Sequence, residues 1–358
     1  TDCSIIRLRN KQGKMTLFNG LARIFALLAC PRTARRLECA MRNILMIKMS
    51  SLGDVVHNLP VATDLAAHFP GVKIDWVVEE GFADIPALHP AVNRVIPVAL
   101  RRWRKNILQK NTWREMQIFK KNLRQETYDA VLDTQGLIKS ALITRWAQGK
   151  KYGYDFSCAR VPLASLVYDQ KYFVDKQLHA VERNRSLSSQ VFDYNDNFLV
   201  NYGVSSLPLN AAWLTAGKYV VLLHATSRAD KEWPETQWIE LAKKLHQRGI
   251  FCVLPWGSEA EKNRAERLAV AIPDAITPPR LSIKMAAGLI AGAEIVVGVD
   301  TGLTHLAAAL NKPVVAIFCA TSPGLTGVYG NPRAVNLGDA GRAPSVEEVW
   351  IAMQPSVK

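Results

Sequence analysis

Glu294-Ile295-Val296-Val297-Gly298-Val299 runs into Asp300-Thr301-Gly302-Leu303-Thr304-His305: an apolar stretch that breaks into small polar residues and then opens an apolar helix. A buried strand feeding a helix in this way gathers backbone N–H groups and short polar side chains at one strand end, where a phosphate can sit. An Asp/Thr helix cap followed by a tightly packed glycine accounts for the same residues, so the surrounding segments have to decide. Asp-Thr-Gly also suggests an aspartic protease, but those enzymes need two carboxylates sharing a proton, and the triplet occurs once in this chain.

Working outward, the second half alternates strand and helix. Tyr219 to Leu223, Phe251 to Leu254 and Val314 to Phe318 read as strands, and Glu235 to His246, Glu259 to Val270 and Ser282 to Ala291 as helices. The first half repeats the pattern: a strand at Asn43 to Ile47, the loop Ser50-Ser51-Leu52-Gly53-Asp54, and a helix from Val55 to His68. Strands follow at Ile74 to Val78 and Val95 to Val98, a basic helix at Trp113 to Gln125, and a strand at Ala130 to Leu132 that leads into Asp133-Thr134-Gln135-Gly136. Such alternation predicts parallel sheets covered on both faces. The fold class is α/β, with two Rossmann-like domains facing a central cleft.

With 358 residues, 49% of them hydrophobic, the chain has material for two ordinary cores. The expected divisions are residues 1–40 as an N-terminal extension, 41–210 as a first domain ending in a polar linker across 193–216, and 211–358 as a second domain. No apolar run approaches the ~20 residues that span a bilayer. The net charge of +14 divides as +6, +6 and +2 over residues 1–40, 41–210 and 211–358. That excess in the first half points to an anionic partner: a nucleic acid, a lipid headgroup surface or a phosphorylated substrate. Aromatic residues are not arranged as a stacking platform and no nucleic-acid motif appears, so no nucleic-acid partner is expected. The six cysteines form no C-x-x-C pair, which fits a reducing cytoplasm. Residues 1–40 read as upstream sequence translated ahead of Met41, with a basic amphipathic membrane-surface helix from Met15 to Cys30 or a secretory signal as alternatives.

Ligands of such sheets sit at the carboxyl ends of strands, and candidate chemistry collects there. No G-x-G-x-x-G, G-x-x-x-x-G-K-[ST] or Asp-x-Asp occurs, so nicotinamide, P-loop and metal-held nucleotide-sugar readings lose support. His224-Ala225-Thr226-Ser227 offers hydroxyls and N–H groups, and Lys231 can neutralise charge on a departing diphosphate. Glu259 or Glu261 could hold ribose hydroxyls, or simply occupy a first helical turn, the plainer reading being favoured for Glu261. Asp54, beside Gly53, meets the requirement for a general base; helix capping is its plainer role. Arg101-Arg102-Trp103-Arg104-Lys105 is the densest cationic cluster, and guanidinium forks suit carboxylates and phosphates.

Taken together the segments resemble the lipopolysaccharide heptosyltransferases of glycosyltransferase family 9, over Met41 to about Gly330. The carriers are Ser50 to His57, Trp76-Val77-Val78-Glu79-Glu80-Gly81-Phe82, Arg101 to Lys105, Asp133 to Ser140, His224 to Thr226, Asp230-Lys231-Glu232-Trp233-Pro234 and Asp300 to His305. The Trp76 to Phe82 and Arg101 to Lys105 segments favour the type I members, which act on Kdo. The resemblance implies a GT-B fold, a donor ADP-L-glycero-D-manno-heptose bound by the second domain, a Kdo-lipid A acceptor bound by the first, and inversion with no metal or other cofactor. It implies Asp54 as base and Lys231 on the donor diphosphate. Thr226, Ser227, Glu259, Thr301, Gly302 and His305 would complete the donor site, with Asp300 on heptose hydroxyls. Ser51, Gly53, Arg101, Arg102, Arg104, Lys105, Gln135 and Arg160 would meet the acceptor. The implied location is cytoplasmic, peripheral on the inner face of the inner membrane. A related enzyme with a later or phosphorylated-Kdo acceptor is the alternative within the class; a non-catalytic basic membrane-surface or nucleic-acid-binding protein is the alternative outside it. Two departures stand out: Leu52 replaces an expected Met, and Arg280 stands where an apolar residue near the adenine is usual.

Overall fold

The computed structural model describes residues 43–195, 199–214 and 216–357. The expected N-terminal extension and its helix lie outside them. Among the described residues, eleven strands form two all-parallel sheets within one compact unit.

The first sheet contains β1 (Asn43–Ile47), β2 (Lys73–Glu79), β3 (Val92–Val98), β4 (Thr127–Asp133), β5 (Gln148–Tyr154) and β6 (Gln170–Tyr172), in the order β3-β2-β1-β4-β5-β6. Its helices are α1 (Leu52–Val56), α2 (Leu59–His68), α3 (Asp84–Ala87), α4 (Leu100–Lys105), α5 (Lys110–Leu123), α6 (Ile138–Trp146) and α7 (Ala180–Phe192). The expected single helix from Val55 to His68 is two, because the chain turns at His57 and Asn58 before Pro60 starts α2 in its first turn. The Arg101 to Lys105 cluster is the helix α4. The β5 and β6 strands and α7, on which the sequence reading was silent, complete the domain.

The second sheet contains β7 (Tyr219–Leu223), β8 (Phe251–Val253), β9 (Ile295–Val299), β10 (Val314–Phe318) and β11 (Ala334–Gly338), in the order β11-β10-β9-β7-β8. Its helices are α8 (Glu235–His246), α9 (Glu259–Ala271), α10 (Ile283–Gly292), α11 (Gly302–Ala309) and α12 (Val346–Met353). Alternation along β7 divides the core: Val220 and Leu222 join Trp238, Leu241, Leu268 and Trp350 on one face, while Tyr219, Val221 and Leu223 join Leu289, Ile290 and Ala307 on the other. Continuous apolar strands follow from this, since β7, β9 and β10 are buried throughout.

Strand order reverses between β1 and β4 in the first sheet and between β7 and β9 in the second. Those switch points open crevices at the carboxyl ends of the strands. The loops there carry Ser50 to Asp54 and Asp133 to Gly136 on one side, and His224 to Lys231 and Asp300 to Thr301 on the other.

The segment joining the sheets is packed rather than slack. Tyr202 is buried and donates to the Tyr329 carbonyl at 2.9 Å. Gly203 has φ +65°, and a Cβ there would lie 2.3 Å from His89 Nε2 and 2.6 Å from Thr63 Oγ1, so only glycine fits.

Candidate active site

Across the cleft, α1 and α11 meet through their glycines. A Cβ on Gly302 would stand 2.2 Å from Leu52 Cδ2, and one on Gly53 would stand 3.0 Å from His305 Cδ2. Gly53 thus makes room for a histidine of the other domain.

On the first-domain side, Asp54 sits in the first turn of α1 and accepts at Oδ2 from the Ser51 N–H at 2.7 Å and from Ser51 Oγ at 2.9 Å. Arg160 Nη1 lies 3.8 Å from the same oxygen. The capping role and the cleft-facing carboxylate therefore coexist, with Ser51 acting on Asp54. Gln135 clamps the loop: its Oε1 accepts from the Met49 N–H at 2.7 Å and its Nε2 donates to the Ser50 carbonyl at 2.5 Å. Asp54, Gln135 and Arg160 line a cavity of about 210 Å³ together with Lys48, Lys176 and Arg183. The last three escaped the sequence reading. Lys48 follows β1 directly, a position that could have flagged it; Lys176 and Arg183 carry no local signal.

Lys48 donates to the Thr134 carbonyl at 2.8 Å and to Asn184 Oδ1 at 3.2 Å. Burial lowers its pKa to about 8, with Asp54 and Asp133 opposing the shift. An unfolded lysine holds its proton to higher pH, so this group makes folding more favourable as pH rises from about 8 towards 10.5. The same deprotonation removes a cation from the cavity. Its acceptor KM is expected to rise several-fold, on the order of 1 kcal/mol, between pH 7 and 9 with donor KM unchanged; a flat acceptor KM would exclude Lys48 from binding.

The cationic helix α4 stands apart from that cavity. Arg102 is tied to Glu80 at 3.1 Å and Glu115 at 2.7 Å, while Arg101 stacks over Phe82 at 4.9 Å. Arg101 instead lines the larger cavity described below, and Arg104 and Lys105 are exposed and line neither. A charge run cannot reveal which arginines are already paired with distant glutamates.

On the second-domain side, Asp300 organises the switch point. Its Oδ2 accepts from Lys231 Nζ at 2.6 Å and Thr321 Oγ1 at 2.8 Å, and its Oδ1 lies 3.6 Å from His305 Nε2. Burial opposes ionisation, but the nearby His305 and the bonds from Lys231 and Thr321 outweigh it and hold the carboxyl well below its ordinary 3.8. Thr226 Oγ1 donates to the Asp300 carbonyl at 3.1 Å. Ser227 is exposed, and Thr301 is the N-cap of α11.

A cavity of about 820 Å³ runs from Leu52, Phe82 and Arg101 to His224, Trp256, Glu261, Arg280, Leu281 and Thr301. Glu261, not Glu259, lines it. Glu259 is exposed at the start of α9, whereas Glu261 accepts from the Gly257 N–H at 2.7 Å while capping the helix. A side chain can thus cap and face the cleft together, which the capping pattern alone conceals. Arg280, the noted departure, lies on this wall.

Two Rossmann-like domains with facing switch points, one carrying a carboxylate among cations and the other a lysine beside a helix start, define a GT-B glycosyltransferase. The chain belongs to glycosyltransferase family 9, the heptosyltransferases, whose family model matches residues 116–353. It is 48% identical over 299 residues to lipopolysaccharide heptosyltransferase 1 of Escherichia coli K12, covering 82% of this chain and 92% of that protein. It is 50% identical over 298 residues to the Pseudomonas aeruginosa PAO1 protein of the same description, covering 82% and 83%. The fold superposes on E. coli heptosyltransferase WaaC with ADP at a TM-score of 0.82, with 43% identity over 88% of this chain and 99% of that one.

Proposed function

We propose that this enzyme transfers L-glycero-D-manno-heptose from ADP-heptose to Kdo of Kdo-lipid A, with inversion, in building the lipopolysaccharide inner core. The observation that carries the reading is that α1, which bears Asp54, meets α11, whose start follows the Lys231-bound Asp300, in a chain closely similar to heptosyltransferases 1. The related WaaC was solved with ADP and with ADP-2-deoxy-2-fluoro heptose, and the volume and lining residues of the 820 Å³ cavity suit such a donor. Trp256 and Leu281 suit a base, Glu261 suits ribose hydroxyls, and the start of α11 with Lys231 suits the diphosphate.

The chemistry is one displacement. Asp54 takes the proton of the acceptor hydroxyl as its oxygen attacks the anomeric carbon from the face opposite the diphosphate. The C–O bond to the diphosphate breaks, and charge growing on the departing phosphate meets Lys231, which uses one of its three N–H donors on Asp300 and keeps two. This assigns the leaving-group role to a lysine and a helix start, without a metal or other cofactor. Arg160, Lys176, Arg183 and Lys48 would receive the acid group of Kdo.

A peripheral seat on the cytoplasmic face of the inner membrane fits the surface beside this cavity. No helix among the described residues is long and apolar enough to cross a membrane. The α6 helix carries exposed Ile138 and Leu142 with Lys139 and Arg145, and the turn after Arg160 carries exposed Leu163 and Leu166. Apolar residues flanked by cations suit an anionic lipid surface.

Turnover with ADP-heptose against a panel of Kdo-lipid A acceptors, with one or two Kdo and with or without Kdo phosphate, tests the reading. Transfer to unphosphorylated Kdo with an inverted anomeric centre is the expected result; transfer confined to phosphorylated Kdo would select the related acceptor. In the same panel, Glu261→Ala should weaken ADP binding and Glu259→Ala should not. A Leu142→Glu/Leu166→Glu variant should lose turnover on vesicle-borne acceptor while keeping it on detergent-dispersed acceptor.

A further inference from the structure

His305 of the second domain faces two groups at once. Its Nδ1 lies 3.2 Å from His57 Nε2, and its Nε2 lies 3.6 Å from Asp300 Oδ1. His57 belongs to the first domain, as the C-cap of α1, and is buried with its ring edge-on to His305 at 4.5 Å between centroids. The other nitrogen of His57, Nδ1, is buried and has no partner among the described residues.

Burial, with His305, His179 and Lys48 nearby, keeps His57 neutral, Asp300 only partly opposing. A neutral imidazole carries one N–H, and the two nitrogens differ in what each choice leaves behind. With the hydrogen on His57 Nδ1, a buried donor has no acceptor, and His57 Nε2 must take the hydrogen of His305 Nδ1. A neutral His305 would then turn a bare Nε2 lone pair towards the Asp300 carboxylate. With the hydrogen on His57 Nε2, only a bare ring nitrogen is left unpartnered, His305 Nδ1 accepts, and His305 Nε2–H is directed at Asp300. The second arrangement satisfies every donor.

We infer that His57 is a positioning residue, which fixes His305 in the Nε2–H form and so completes the ring of donors around Asp300 from the opposite domain. The coupling exists only while α1 and α11 are in contact, because its two rings come from different sheets. Its value to catalysis depends on the Asp300 cleft being the donor site; the state of the ring does not.

The test uses the full chain labelled with ¹⁵N-histidine, comparing wild type, His57→Phe and His57→Gln. Long-range ¹H–¹⁵N spectra report which His305 nitrogen carries hydrogen. Wild type should show Nε2–H. His57→Phe, which offers no donor, should move population to Nδ1–H and lower donor kcat/KM about tenfold, the worth of one ordinary hydrogen bond. His57→Gln, whose amide can donate from a similar reach, should restore both the spectrum and most of the rate. His305 found as Nδ1–H in wild type, or left unchanged by His57→Phe, overturns the inference. Should His57→Phe not fold, His57→Met supplies the donor-free variant, and the same two outcomes decide it. A correct spectrum in a chain that does not turn over ADP-heptose would count against the proposed function, not against the tautomer.

Discussion

Replacing Asp54 by asparagine is expected to lower kcat about a thousandfold while leaving donor affinity in place, the scale of a lost general base. The substitution separates the two things Asp54 does. Asparagine keeps an oxygen that can accept from the Ser51 N–H, so the first turn of α1 stays capped, but it cannot take a proton from an attacking hydroxyl. Stability should change by no more than about 1 kcal/mol, the usual worth of a charge at a helix start. Single-turnover rates with saturating ADP-heptose measure the chemical step directly. Retention of more than a tenth of the rate would move the base elsewhere in the cavity, to a group this geometry does not single out.

Asp300→Asn carries the second large effect, about a hundredfold in donor kcat/KM, from loss of a charge that anchors Lys231 and receives His305. Both partners are partly buried, 19% and 12% exposed for Lys231 and Asp300, so solvent replaces the lost carboxylate poorly. The effect should fall on donor parameters and spare acceptor KM, because the cation-lined cavity around Asp54 belongs to the other domain. The native carboxyl is depressed below 3.8, so its contribution to stability is present above that pH and lost as pH falls further. An acid limb of the rate profile between pH 5 and 7 would therefore report a different group. If Asp300→Asn raised acceptor KM instead, the assignment of domains to substrates would be reversed.

The sheets were legible because buried parallel strands have no polar side: Tyr219 to Leu223 and Val314 to Phe318 occur where the apolar runs place them. Strands with an exposed edge were not legible, as in β5, whose Gln148-Gly149-Lys150-Lys151 start looks like a loop. Asp54, Lys231 and Asp300 were flagged by their strand ends, and the structure sets Asp54 on the cation-lined cavity and pairs Lys231 with Asp300. Residues declared only by folding were not flagged. Glu261 was hidden behind its capping role, Arg183 comes from a helix more than a hundred residues after Asp54 in the chain, and His57 matters through a histidine of the opposite domain. In α4 the charge run could not show that Glu80 and Glu115 pair with Arg102 while Arg101 lines the larger cavity.

Neither sheet borrows a strand from the other half of the chain. The first six strands end at Tyr172 and α7 at Phe192, before β7 begins at Tyr219, and α12 stays on the second sheet's own core. A ribosome therefore releases every strand of one domain before the next domain has its first, and folding can proceed in the direction of synthesis. During that interval Gly53 and His57 face solvent, with no α11 to cover them. The cleft therefore waits on the second domain, and a chain cut short before Gly302 would hold a complete first sheet with no α11 to face it.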